Sequence, residues 1–125
     1  MYYGKGTITY KNGDRYVGQF LEGKKNGKGV ERKTNGDRFE GTWLNDDYDG
    51  QFKVRYANRD TYEGAYVAGQ KTYGCYYIEK TGDQYEGAWL NNNYHGQGTF
   101  WKHNVASHSG QWISGKLNGK SLYEL

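Results

Sequence analysis

Cys75, His95, His103 and His108 are the side chains here whose types suit metal ligation or nucleophilic attack. A zinc site needs paired ligands at short fixed spacings such as C-x2-C, and one thiol among scattered histidines supplies no such pair. Neither a metal nor a cofactor is expected. Nucleophilic catalysis by Cys75 would need a histidine and an orienting acid held beside it, and no such partners can be assigned from the sequence. The "GKG" at 27–29 and "GQG" at 96–98 have phosphate-loop glycines without the G-x-x-x-x-G-K-[ST] context. The chain is expected not to be an enzyme.

What remains is the chemistry of binding. Leu, Ile, Val and Phe together number 18 of 125 residues, whereas the chain holds 14 Tyr, 4 Trp and 4 Phe. The apolar material is aromatic, which favours strands and binding hot spots. With 20 glycines, no proline and a formal charge of only +3, an ordered β protein is expected rather than a disordered chain. The run "KKNGKGVERK" (24–33) carries Lys24, Lys25, Lys28, Arg32 and Lys33. Such a patch attracts anionic lipid headgroups by about 1 kcal/mol per nearby cation, or is simply a solvated face. Nucleic acid is not an expected partner, because acidic residues are interspersed and no recognition motif occurs.

The elements that position these groups follow from a repeat. "GDRYVGQF" (13–20), "GDRFEGTW" (36–43), "RDTYEGAY" (59–66), "GDQYEGAW" (82–89) and "VASHSGQW" (105–112) recur every 23 residues. One column is Gly18, Gly41, Gly64, Gly87 and Gly110; two residues on it is Phe20, Trp43, Tyr66, Trp89 and Trp112. Two residues before the glycine stand Tyr16, Phe39, Tyr62, Tyr85 and His108. Alternation with period two marks a strand, here called A. A turn is expected at Gly23, Asp46, Gly69, Asn92 and Gly115, followed by a second strand, B. Asn12-Gly13, Asn35-Gly36 and Thr81-Gly82 turn the chain back, with weaker signals at Asn58-Arg59 and Asn104-Val105.

Loops of Asn12-Gly13-Asp14 type would set Arg32 opposite Glu40 and Arg55 opposite Glu63, avoiding the Glu31–Glu40 repulsion of a two-residue turn. They would also set Gly29 against Trp43 and Gly98 against Trp112. One face then carries Ile8, Val54, Tyr77, Phe100 and the aromatic columns, and the other is polar. About eleven strands at about 4.8 Å spacing would make a ribbon on the order of 50 Å long. The third unit breaks the pattern, with Tyr73 and Cys75 where others have glycine and Gly74 between them.

The columns Tyr-x-Gly-x-Trp, turn, Gly-x-Gly, Gly-Asp resemble the MORN (membrane occupation and recognition nexus) repeat over the whole chain. The match is closest at "GDRFEGTW", "GDQYEGAW" and "YHGQGTF" (94–100), with His95 in the family's frequent histidine slot. It is weak at 70–78 and 105–108. The resemblance implies an all-β, elongated, single-layer antiparallel sheet of hairpins, arranged as a half repeat over 1–12 and five repeats to the C-terminus. It also implies binding and scaffolding, since in MORN-containing enzymes the chemistry lies in other domains.

The resulting expectation is a protein or peptide partner on the aromatic face, held by Tyr16, Phe20, Phe39, Trp43, Tyr62, Tyr66, Tyr85, Trp89 and Trp112. Exposed edge strands also invite a homodimer. The alternative is an anionic membrane surface docking on the 24–33 patch, and a carbohydrate-binding module is a third reading. Lacking a visible signal peptide or an apolar span, the chain is expected to be cytoplasmic, at a membrane or cytoskeletal periphery if localised further.

Overall fold

The computed structural model describes residues 3–103, 108–113 and 116–117. Eleven strands follow in chain order: β1 (Gly4–Thr9), β2 (Arg15–Leu21), β3 (Lys24–Arg32), β4 (Arg38–Leu44), β5 (Asp47–Arg55), β6 (Thr61–Val67), β7 (Gln70–Ile78), β8 (Asp83–Leu90), β9 (Asn93–Trp101), β10 (His108–Ile113) and β11 (Lys116–Leu117). Each pairs antiparallel with the next in one sheet, so the chain is a continuous meander. The all-β hairpin architecture read from the repeats is the one observed.

Each A strand turns into its B strand through two residues. Leu21 pairs with Lys24 across Glu22 (φ 52°) and Gly23 (φ 79°). Two successive positive φ values match the right-handed twist of the flanking strands. Asp46, Gly69 and Asn92 repeat the geometry, as expected for that column, while Gly115 lies outside the described residues.

The first three B-to-A loops have three residues, but they sit one position earlier than the charge argument implied. Tyr10 N–H donates to Asp14 O and Gly13 N–H to Tyr10 O, so the loop is Lys11-Asn12-Gly13. Gly13, at φ 98°, must be the third loop residue because the closing bulge is left-handed. Arg32 therefore faces Arg38, Val30 faces Glu40 and Arg55 faces Thr61, which corrects the expected Arg32–Glu40 and Arg55–Glu63 pairs. Gly27 and Gly96, not Gly29 and Gly98, lie opposite Trp43 and Trp112. The displaced register differs by two residues, which leaves every side chain on the same face.

Asp14 then opens the A strand and reaches across to the next loop. Its carboxylate accepts from Thr34 N–H at 3.0 Å; Asp37 accepts from Ala57 N–H, Asp60 from Glu79 N–H and Asp83 from His103 N–H. The Gly-Asp dipeptide thus makes the turn with its first residue and ties neighbouring loops together with its second.

A row of directly opposed positions runs across ten strands: Gly6, Gly18, Gly29, Gly41, Phe52, Gly64, Gly74, Gly87, Gly98 and Gly110. The Tyr16 ring lies on the bare backbone at Gly29, where a Cβ would come within 2.5 Å of it, and its hydroxyl donates to Gln19 O at 2.9 Å. Tyr85 repeats this over Gly98 with a bond to Ala88 O. In the second unit Phe39 has no hydroxyl and Phe52 fills the glycine slot, packing over Gly41.

The third unit keeps this row by moving β7 one residue. Bulged pairs in the other hairpins carry a positive-φ glycine, Gly27, Gly50 or Gly96. Tyr73 occupies that slot and has no such φ, so the bulge between Ala65 and Tyr66 is one residue shorter. Gly74 slides opposite Gly64 and Gly87, and four residues instead of three separate Ile78 from Asp83. The same slip corrects a face assignment. Tyr76 opposes Tyr62 and Tyr85 on the aromatic face, whereas Tyr77 opposes Thr61 and Gln84 on the polar one. Ile8, Val54 and Phe100 pair with Tyr16, Tyr62 and Tyr85 on the aromatic face as expected.

Candidate functional site

The nine rings expected to hold a partner form the core of the sheet. Tyr16, Phe39, Trp43, Tyr62, Tyr66, Tyr85, Trp89 and Trp112 are buried, and Phe20 is half-buried against them. The first ring of one unit meets the tryptophan of the next edge-on: Tyr16–Trp43 at 5.0 Å, Tyr62–Trp89 at 5.8 Å and Tyr85–Trp112 at 5.4 Å. Such T-shaped pairs add about 0.5–1.5 kcal/mol each beyond burial. Trp89 and Trp112 donate their indole N–H to the carbonyls of Gly74 and Gly98 in the glycine row. Trp43 Nε1 is buried without a partner among the described residues.

Solvent meets a second tier of rings. Tyr10, Tyr48, Tyr56, Tyr76, Tyr94 and Phe100 are half-buried along the same face. Sequence reasoning passed over most of them, although the period contains the signal. The column Lys25, Tyr48, Lys71, Tyr94 alternates amine and phenol, and it lies on the aromatic face, two residues after the tight turn.

The two lysines of that column have opposite surroundings. Lys25 Nζ is 3.3 Å from Glu31 Oε2, with the Tyr10 and Tyr16 rings 5.2 and 5.5 Å away. Glu31, also buried, accepts from the Tyr48 hydroxyl and lies 3.6 Å from Lys33. Burial alone would lower the Lys25 pKa; the Tyr10 hydroxyl and Glu31 outweigh it, and the ammonium is held above its ordinary value.

Among the described residues, Lys71 has no carboxylate beside it. Its Nζ lies 5.0 Å from the Trp89 ring centre, 5.5 Å from Tyr62 and 5.8 Å from both Tyr56 and Tyr76, and it donates to the Tyr56 hydroxyl at 3.4 Å. Burial pushes this ammonium below its ordinary pKa. A cleft of about 340 Å³ opens beside it, lined by Tyr56, Lys71, Tyr76, Trp89, Asn92, Asn93 and Tyr94. The nearby Asp60 is already committed, accepting from the Tyr76 hydroxyl at 2.8 Å, Asn58 Nδ2 and Glu79 N–H.

The basic run does not form one patch. Lys25 and Lys33 are taken up by Glu31 and Asp14 on the aromatic side, whereas Lys24, Lys28 and Arg32 project from the other face. There Arg15, Arg32, Arg38 and Arg55 stand directly opposite one another on four neighbouring strands. Arg38 bridges to Glu40 at 3.1 Å. A shallow groove of about 1030 Å³ runs beside this row, with Lys5, Lys28, Lys53, Glu40 and Glu63 among its walls. Cys75 lies on the same face, donating weakly to Gln84 Oε1 at 3.7 Å, and burial raises its pKa, so thiolate is disfavoured. The described residues contain no cluster of three metal-ligating side chains, and the His108 side chain lies outside them.

A hairpin meander with aromatic columns on one face and a transverse glycine row is the arrangement that the 23-residue units encode. The MORN repeat model matches residues 4–15, 16–38, 85–104 and 108–120, together more than half of the chain. The chain belongs to the MORN repeat family. MORN repeats are generally non-catalytic modules of protein or membrane interaction. A 53-residue stretch is 34% identical to a Plasmodium falciparum protein named inactive protein tyrosine kinase pTKL. That stretch is 42% of this chain and 4% of the relative, so the chain is similar to a small part of a far longer protein. No helix among the described residues is long and apolar enough to cross a membrane.

Proposed function

We propose that this MORN array is a protein-interaction scaffold that takes a partner segment on its aromatic face. The observation carrying this reading is the tier of half-buried rings, Tyr48, Tyr56, Tyr76, Tyr94 and Phe100, on a sheet without a second layer among the described residues. Of the nine inner rings, the eight buried ones then act as the platform that holds the second tier in place, and half-buried Phe20 adds to the contact surface. Aromatic side chains on a rigid support bind with little loss of conformational entropy. Tyr56→Ser and Tyr94→Ser, with folding checked by circular dichroism, are expected to weaken capture of the partner at least tenfold. Unchanged capture by both variants, together with loss on Glu63→Gln or Glu86→Gln on the opposite face, would overturn the reading. Self-association through β1 as an edge strand is a further part of this proposal, tested by sedimentation at increasing concentration.

A second reading, docking to anionic lipid headgroups, is favoured by the arginine row. Like charges directly opposed across strands destabilise a sheet, so Arg15, Arg32, Arg38 and Arg55 gain from an external anion. Of the 24–33 cations, Lys24, Lys28 and Arg32 would join them. Binding to phosphatidylserine vesicles that disappears on neutralising the four arginines would favour this reading; binding to neutral and anionic vesicles alike would count against it.

A further inference from the structure

We propose that the cleft beside Lys71 is a carboxylate-binding site, filled by the acidic side chain of a partner peptide whose neighbouring residues lie on Tyr56, Tyr76 and Tyr94. The inference rests on the scaffold reading and gives its central contact a chemistry. The first unit supplies an internal template. There the same column's lysine, Lys25, holds a carboxylate, Glu31, while its ammonium lies over the Tyr10 and Tyr16 rings. In the third unit the acid's position in the repeat falls at Tyr77, which the slip of β7 turns to the polar face, and Tyr76 takes its place opposite Tyr62. The amine and its aromatic walls are kept; the acid is missing.

A half-buried ammonium without a counter-charge is costly, and rings recover only part of that cost. Its lowered pKa agrees with the geometry. Asp60 does not fill the role, since its oxygens are occupied by Tyr76, Asn58 and Glu79. One cation in a largely aromatic cleft suits a monoanion. A phosphate dianion would need further donors to offset its desolvation, as the bidentate guanidinium or clustered amides of phosphate sites do. The Asn92 and Asn93 side chains at the rim add neutral polar groups beside the apolar walls.

The test uses the isotope-labelled full chain and two capped peptides, Ac-Phe-Glu-Phe-NH2 and Ac-Phe-Gln-Phe-NH2, with acetate and inorganic phosphate as competitors. The Glu peptide is expected to shift the Trp89 indole and Asn93 amide signals and to bind at least tenfold more tightly than the Gln peptide. Lys71→Met, which keeps the stem and the cage, should remove that difference; Lys71→Arg, which keeps the charge, should retain most of it. Acetate should compete at least as well as phosphate. Equal binding of the two peptides, an unaltered preference in Lys71→Met, stronger competition by phosphate, or shifts centred on the arginine row would each overturn the proposal. Because the titration needs no natural partner, its failure leaves the Tyr56→Ser and Tyr94→Ser result standing, and the reverse also holds.

Discussion

Lys25 and Lys71 occupy equivalent positions 46 residues apart, and only one has an acid beside it. Removing one member of a buried ion pair leaves the other charge stranded. Lys25→Met is therefore expected to lower stability by about 3 kcal/mol, less than the upper range because Lys33 and Tyr48 still hold Glu31. Adding Glu31→Val, the residue found one repeat later as Val54, should restore most of that loss in chemical denaturation. Arg59 makes a contrasting case, since it closes a loop at φ 74° where the sister loops have Gly13 and Gly36. Arg59→Gly should raise stability by about 1 kcal/mol on the same assay, through relief of left-handed strain. The weaker turn signal at Asn58-Arg59 was visible in the sequence. The Lys71 cage was not, because its lysine and its rings come from β6, β7, β8 and the loop after β5, and meet only once β7 has slipped.

At the scale of the hairpin, faces were legible except at Tyr77 in the slipped β7, and absolute register was not. Alternation places each side chain up or down, and a shift of two residues preserves that choice. Charge pairing of Arg32 with Glu40 excludes an odd shift but does not select among even ones. What selects is Gly13 and its equivalents, which must stand third in the loop. In the third unit, "TYGCYY" looked like a lost glycine pair, but the structure retains the row by bringing Gly74 into it. The consequence of that row is testable in the first hairpin. Gly29→Ala would put a methyl 2.5 Å from the Tyr16 ring and is expected to cost about 2 kcal/mol, read from the denaturation midpoint.

For the molecule as a whole, the aromatic face is rich in tyrosine, so its stability falls at alkaline pH. Burial pushes Tyr16, Tyr85 and Tyr94 up to about 12. Unfolded tyrosine ionises near 10. Their contribution is fully present below about pH 10 and is lost as pH rises through about 12, when the folded state must shed those protons too. Circular dichroism and tyrosinate absorbance should therefore change together in that window, with little change below it. The repeat model leaves residues 39–84 unmatched, and that stretch holds both Phe52 and Tyr73, the two substitutions the sheet absorbs by repacking and by slipping. The family and the fold were thus readable from the glycine and aromatic columns, whereas the accessible tier and the lysine cage depended on how those exceptions are accommodated.

Partners are expected to meet the aromatic face around the third unit. A photo-crosslinking amino acid, p-benzoylphenylalanine, placed singly at Tyr56, Tyr94, Glu63 and Glu86 would test it most directly in cells expressing the full chain. Partner adducts are expected from positions 56 and 94 and none from 63 and 86. Adducts confined to positions 63 and 86 would contradict it.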